Sequence, residues 1–202
     1  MSAVLPALVD TTATRAALHH IAEHVLAAEQ HSAIGKLGLF VTPDGFGTRW
    51  FAEPGAEERR IRLAGARIIR ETRSGITSDE ILDANLDAEA LAVLYSWWAL
   101  GDRVLGKLAA RAGEELSTIT LWPEHFDIAT TMTLASDSVN LGFSPGDEFC
   151  AEPYVYAGPW TAHEGPFWNA PFGAFRTYTD VAAEPALADG FLAEALDLLR
   201  TS

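Results

Sequence analysis

Cysteine and long apolar stretches are what this chain most clearly lacks. Cys150 is the only cysteine among 202 residues, which excludes an internal disulfide and a thiolate metal cluster built from one chain. No apolar stretch approaches the ~20 residues that a membrane-spanning helix needs. The segment from Met1 to Asp10 also lacks the basic start of a secretory signal. We therefore expect a globular protein of the cytoplasm that has no membrane partner.

Positive charge is scarce in the second half of the chain. The formal net charge is -14, and Arg176 is the only lysine or arginine between Ala112 and Leu199. A surface of this sign repels nucleic-acid phosphates and anionic lipids, so we expect no nucleic-acid partner. The same charge favours cations, amines or a basic protein, although an excess of carboxylates also simply keeps proteins soluble. An acidic interaction protein is therefore one functional alternative.

Familiar catalytic and nucleotide-binding motifs are missing as well. The chain has no Walker-type phosphate loop, no G-x-S-x-G elbow, no dinucleotide fingerprint after a strand and no basic aromatic array. The segment from His20 to His24, HIAEH, has the H-x-x-E-H spacing of one class of zinc peptidases. Those enzymes need a further carboxylate ligand downstream and a larger fold, so a solvated helix face is the preferred interpretation. The sequence assigns no catalytic residue.

The hydrophobic pattern predicts a single α+β domain that spans residues 1–202. Amphipathic helices are expected from Thr12 to His31, from Ala88 to Ala112 and after Pro185. A capping-box pattern from Thr77 to Glu80 predicts a further helical start. Short alternating segments between the helices indicate strands. The expected fold is a mainly antiparallel sheet packed by three main helices, which are N-terminal, central and C-terminal.

The clearest strand pair is expected between Ile128–Leu134 and Val139–Phe143. Apolar residues alternate with polar ones in both segments, as they do in strands with one buried face. Pairing Met132 with Phe143 places both apolar sets on the same side of the sheet. The opposite side of the sheet is then polar, and we expect a ligand-binding site on that side.

Aromatic and ionisable residues are concentrated between Leu121 and Phe175. Strand alternation gathers carboxylates and imidazoles beside indole and phenol rings on the polar side of the sheet. Aromatic walls beside carboxylates suit a cationic or sugar-like small molecule, so the leading hypothesis is a small-molecule-binding protein. The predicted ligand-binding residues are Trp122, His125, Asp127, Glu148, Glu152, Tyr154, Tyr156, Trp160, His163 and Trp168.

An alternative hypothesis places a divalent metal in this region. Continuing the hairpin register brings Glu148 near Asp127, and alternation places His125 on the same side as Asp127. An imidazole with two carboxylates suits zinc, manganese or iron, or an acid/base group in which close carboxylates raise one pKa. The alternative function is thus a metal-dependent, hydrolase-like enzyme that uses these three residues. An ordinary hydrogen-bonded pair of His125 and Asp127 that fixes the start of the strand is the preferred interpretation of these residues.

Several short motifs resemble a family of uncharacterised bacterial proteins. They are the segment from Trp122 to Asp127 followed by Ile128-Ala129-Thr130, the run from Gly142 to Gly146, and Glu152 to Tyr156. An N-terminal helix leading into a sheet and a Phe-rich segment before a terminal helix extend the likeness over most of the chain. Members of this family are frequent in actinobacteria and are known only by a domain of unknown function. The resemblance implies one domain and supplies no activity or site residue.

Overall fold

The computed structural model describes residues 4–82, 86–112, 115–135, 137–184 and 186–201. The first predicted helix is present. It occupies α1 (Thr12–Ile21), a π-helical segment (Ala22–Ala27) and α2 (Ala28–Ile34). It ends at Gly35, whose φ of 68° is left-handed and suits a residue without a Cβ.

The predicted central and C-terminal helices are confirmed. The central helix α3 is Ala88–Ala112, and its first turn is capped because Oδ1 of Asp87 accepts a hydrogen bond of 2.8 Å from the amide of Ala90. The terminal helix α5 is Leu187–Thr201, and a short helix α4 (Tyr178–Ala183) precedes it. None of the described helices is both long and apolar enough to cross a membrane.

The first sheet has five antiparallel strands in sequence order. They are β1 (Phe40–Thr42), β2 (Gly45–Gly47), β3 (Arg59–Ala64), β4 (Arg67–Thr72) and β5 (Gly75–Ile81). The helical start predicted from Thr77 to Glu80 is wrong, because this segment is part of β5 and pairs with β4. Asp79 forms an ion pair across the two strands with Arg67, 2.7 Å from Oδ2 to Nη2. Glu80, the acidic residue of the capping-box pattern, likewise pairs across the strands with Arg70, 3.1 Å from Oε1 to Nη1.

The second sheet also has five antiparallel strands, in the order β10-β9-β8-β7-β6. They are β6 (Thr120–Trp122), β7 (Asp127–Thr133), β8 (Ser138–Ser144), β9 (Tyr154–Pro159) and β10 (Ala174–Thr177). The two sheets meet where the backbones of Leu39 and Leu121 exchange hydrogen bonds of 3.0 and 2.9 Å. Two antiparallel sheets with packed helices make this an α+β fold.

The register between β7 and β8 differs from the predicted one. Met132 lies opposite Val139 and not opposite Phe143. The reason is a tight turn, in which the amide of Leu134 donates a hydrogen bond of 2.8 Å to the carbonyl oxygen of Asp137. The difference in register is an even number of residues, so each side chain keeps the face that alternation assigned to it.

The two faces of the second sheet have different neighbours. On one face Ile128, Phe143 and Val155 belong to the hydrophobic core, together with the fully buried Trp97 and Trp98 of α3. Helix α3 approaches closely at Gly101, where a Cβ would lie 2.8 Å from the Phe143 ring. The other face of this sheet is open and is bordered by α1. It carries the candidate site.

Candidate functional site

A cavity of about 920 Å³ lies on the open face of the second sheet. Strands β7, β8 and β9 form its floor, and helix α1 and the loop between β8 and β9 form its sides. Six of the ten predicted ligand-binding residues line it, namely His125, Asp127, Glu148, Tyr154, Tyr156 and Trp160. A seventh, Trp122, lines an adjoining recess of about 420 Å³.

Three predicted residues do not line either recess. Glu152 Oε2 accepts hydrogen bonds from the amide and the hydroxyl of Thr179, at 3.0 and 2.7 Å, and so holds the start of α4. Nε2 of His163 lies 3.7 Å from Oδ2 of Asp137. The centroid of the His163 ring lies 5.3 Å from that of the Trp168 ring. These contacts fasten loops to the body of the fold, and they place Glu152, His163 and Trp168 outside both recesses.

Asp127 is the most unusual side chain in the cavity. It is only 7% exposed, and its Oδ2 accepts a hydrogen bond from the hydroxyl of Tyr156. Its Oδ1 is buried and accepts no hydrogen bond from the side chain of another described residue. Burial raises the pKa of Asp127 above its ordinary value of 3.8, while the hydrogen bond from Tyr156 and the nearby His125 oppose that shift. The cavity therefore contains a carboxylate oxygen that lacks a side-chain partner in the described chain.

Gly142 explains how Tyr156 reaches Asp127. The two residues lie on β9 and β7, with β8 between them, and Gly142 of β8 lies directly opposite Tyr156. A Cβ on Gly142 would lie 2.5 Å from the Tyr156 hydroxyl oxygen and 2.6 Å from its ring. Because glycine has no side chain, the phenol ring lies flat across β8 and its hydroxyl meets the carboxylate on the far side.

A second tyrosine and aspartate pair lies beside the first. The hydroxyl of Tyr154 donates a hydrogen bond of 2.5 Å to Oδ2 of Asp147. Oδ1 of Asp147 accepts from the amides of Phe149 and Cys150 at 2.8 and 3.0 Å, which closes a turn in the loop after β8. Asp147 is therefore fully engaged in holding the loop, and it raises the pKa of Asp127 slightly by charge repulsion.

Helix α1 fixes the same loop from the other side through Arg15. One guanidinium nitrogen of Arg15 donates to the carbonyl oxygens of Pro145 and Ala151, at 3.3 and 3.1 Å. Gly146 follows Pro145 in the chain and has a φ of 94°. A Cβ on Gly146 would lie 2.4 Å from this nitrogen of Arg15. The side chain of Arg15 thus binds backbone groups and not a carboxylate.

The turn before β7 is held in a strained conformation. Phe126 has a φ of 57°, a left-handed value that is rare for a residue other than glycine. Its ring is buried against Trp98 at 4.8 Å and Phe46 at 5.5 Å, and His19 of α1 stacks on it at 5.1 Å. This aromatic packing offsets the strain and fixes the neighbouring Asp127 at the cavity floor.

The walls of the cavity carry an excess of negative charge. Four carboxylates line it, from Glu124, Asp127, Asp147 and Glu148, whereas Arg15 is its only lysine or arginine. An electronegative recess of this kind concentrates cations and repels anions.

The predicted metal ligands do not form a metal site. Across the described ranges no group of three or more His, Cys, Asp or Glu side chains is placed to hold a metal ion. His125, Asp127 and Glu148 share the cavity without converging on one point. The observed pairing of β7 with β8 ends at Ile128 and Phe143, so the chain leaves the ladder before Glu148.

Sequence reasoning missed Gly142, Asp147 and Arg15. Asp147 carries a local signal, because an aspartate after Pro-Gly commonly accepts hydrogen bonds from the amides that follow it. Gly142 breaks the alternating pattern of β8, and a glycine within a strand indicates close approach of another group. Arg15 has no such signal, since its partners are 130 and 136 residues away.

Comparison with known proteins gives no independent assignment. No protein-family model matches the chain. No curated protein and no solved structure is significantly similar to it. The resemblance to the actinobacterial family therefore stays a prediction, and the function must be argued from the cavity itself.

Proposed function

We propose that this protein binds a small organic cation, with Asp127 as the counter-charge. The observation that supports this proposal is the buried Oδ1 of Asp127, which accepts no hydrogen bond from the side chain of another described residue. Leaving a buried polar group unpaired costs roughly 1–3 kcal/mol, and more for a charged group. An ammonium or guanidinium group bound beside Asp127 would offset this buried negative charge through a charge-assisted hydrogen bond.

The walls suit the same class of ligand. The rings of Tyr154 and Tyr156 lie 6.1 Å apart beside the carboxylate, and a cation close to such ring faces is attracted by their electron density. A sugar-like ligand could also pack on these rings, but it would leave the charge of Asp127 without a counter-ion. The carboxylates further disfavour phosphate-bearing ligands, including nucleic acid. A cytoplasmic setting is part of the proposal.

Binding of a model amine tests the proposal directly. We expect n-butylammonium to bind in isothermal titration calorimetry at low ionic strength, and n-butanol, which has the same alkyl chain without the charge, not to bind. Asp127→Asn should abolish the binding, because the variant keeps an acceptor for Tyr156 but lacks the charge.

Asp102→Asn provides the matched control. Asp102 is an exposed residue of α3 outside the cavity, so this variant removes the same charge elsewhere and should bind n-butylammonium as the wild type does. Equal binding by the wild type and Asp127→Asn, or no binding of n-butylammonium by the wild type, would overturn the proposal.

A further inference from the structure

The cavity and its adjoining recess form one cleft. Both are lined by Glu124, His125, Asp127, Asn140 and Tyr156, so they share a boundary across the open face of the second sheet. The cavity alone, at about 920 Å³, is near the upper end of the range for small-molecule pockets, which is roughly 300–1,000 Å³. The cleft is therefore larger than a single alkylamine requires.

The length of the cleft matches a short stretch of extended polypeptide. It runs from Trp122 on β6 to Tyr156 on β9, across four neighbouring strands. Three spacings of about 4.8 Å give a span of roughly 14 Å. An extended chain advances about 3.3 Å per residue, so about four residues cover this distance.

Exposed aromatic side chains border the cleft. All exposed Trp and Phe residues of the described chain are found there, and they are Trp122, Phe149, Trp160 and Phe172, which are 41%, 46%, 69% and 37% exposed. Trp122 lies at one end, and Trp160 and Phe172 lie at the other. Phe149 packs against Phe172 with ring centroids 5.0 Å apart. Exposed aromatic groups clustered around a polar recess are typical of protein-binding surfaces.

We infer that the cation held by Asp127 is a lysine or arginine side chain of a polypeptide partner, bound in extended form along this cleft. The inference rests on the proposed function and specifies its ligand. Asp127 lies on β7, between the two aromatic ends, and Glu124 and Glu148 add negative charge around it. The partner segment therefore carries one basic residue flanked by apolar residues, which pack on the exposed rings.

Two probes separate the peptide from the free amine. The first is the capped tetrapeptide acetyl-Leu-Leu-Lys-Leu-amide, and the second is n-butylammonium, which reproduces the lysine side chain alone. Calorimetry with the 202-residue protein should show the peptide binding at least tenfold more tightly than n-butylammonium. Trp122→Ala should lower the ratio of peptide affinity to n-butylammonium affinity at least threefold. Ile76→Ala, an exposed apolar side chain on β5 of the other sheet, should leave that ratio unchanged.

The outcomes distinguish this inference from the proposed function. If n-butylammonium binds but the peptide binds no more tightly, or if Trp122→Ala leaves the ratio as it was, the partner is not a polypeptide and the small-cation function stands. If neither probe binds the wild type, both proposals are wrong. If Asp127→Asn abolishes binding of the amine but not of the peptide, the basic side chain is not held by Asp127, and the inference fails.

Discussion

The two sheets differ in how their charged side chains are paired. In the first sheet arginines and carboxylates pair across strands, as with Arg60 and Arg62, whose Nε atoms lie 2.7 and 3.0 Å from Oε1 of Glu71. On the open face of the second sheet the carboxylate of Asp127 is buried beside a tyrosine, and no arginine or lysine of the described chain forms a hydrogen bond or ion pair with it. Charges that are paired internally satisfy one another, whereas a buried carboxylate without a counter-ion is a candidate for binding a cation.

The largest effect is expected at Gly142. Gly142→Ala places a methyl group against the Tyr156 ring and breaks the hydrogen bond between Tyr156 and Asp127. We expect a loss of about 1–3 kcal/mol in the free energy of unfolding, measured by urea denaturation, and loss of n-butylammonium binding.

Gly106 on α3 provides the control for this variant. A Cβ at Gly106 would meet no heavy atom within 4 Å, so Gly106→Ala should increase stability, as alanine usually does in a helix. If Gly142→Ala binds the amine as the wild type does, the ring of Tyr156 does not organise the site.

Neutralising one carboxylate in each sheet should have opposite effects on stability. Glu71→Gln loses charge-assisted contacts to two half-buried arginines, so we expect a loss of about 1 kcal/mol, or a melting temperature roughly 2–4 °C lower. Asp127→Asn removes a buried charge and keeps the acceptor for Tyr156, so the melting temperature should rise. If the melting temperature fell in both variants, both carboxylates would stabilise the fold, and the contrast between the two sheets would be wrong.

The pH dependence of stability should differ in sign between these two residues. Burial raises the pKa of Asp127 above 3.8, so its contribution to stability falls as the pH rises from 3.8 through its folded-state pKa. Burial also pushes the pKa of Glu71 upward, but the hydrogen bonds from Arg60 and Arg62 outweigh it and hold that pKa below 4.5. The contribution of Glu71 is therefore present above 4.5 and is lost as the pH falls through its folded-state pKa.

Urea denaturation of the wild type and both variants from about pH 3 to 7 measures these contributions. The stability difference between Asp127→Asn and the wild type should grow in favour of the variant as the pH rises. The deficit of Glu71→Gln should shrink as the pH falls. If the free energy of unfolding changed with pH in parallel for all three proteins, the pKa directions given for Asp127 and Glu71 would both be wrong.

The smallest effect is expected at Arg15. Arg15→Met removes the donors that hold Pro145 and Ala151, so the loop between β8 and β9 should open more often. We expect faster hydrogen exchange at the amides of Phe149 and Cys150 and an affinity for n-butylammonium a few times lower, with little change in overall stability. Unchanged exchange at these amides would show that Asp147 alone holds the loop.

The sequence correctly predicted those parts of the fold that are encoded by residues close together in the chain. The central helix from Ala88 to Ala112 was predicted at both ends, because its apolar stripe and its cap are encoded within consecutive residues. The α+β class and the polar face of β7 were also correct. The prediction of a helical start from Thr77 to Glu80 failed, because a capping box and an exposed strand with ion-paired carboxylates share the same residue types.

Strand alternation predicted the part of the site that lies on the strands. Asp127, Tyr154 and Tyr156 share the open face because strand geometry requires it. The hydroxyl of Tyr154 donates its hydrogen bond to Asp147, whereas the sequence predicted the next residue, Glu148, as part of the site. The sequence does not decide between these two carboxylates, because their positions depend on how the loop folds after Gly146. His163 and Trp168 are close to the site in sequence, yet a loop carries them to Asp137 instead.

Titration of Asp127 with and without an amine tests the central claim most directly. In the protein labelled with ¹³C, the chemical shift of the Asp127 carboxyl carbon followed against pH reports its pKa. We expect saturating n-butylammonium to lower that pKa, because a bound cation stabilises the charged carboxylate. Titration curves that coincide in the presence and absence of the amine would contradict the claim that Asp127 binds the cation.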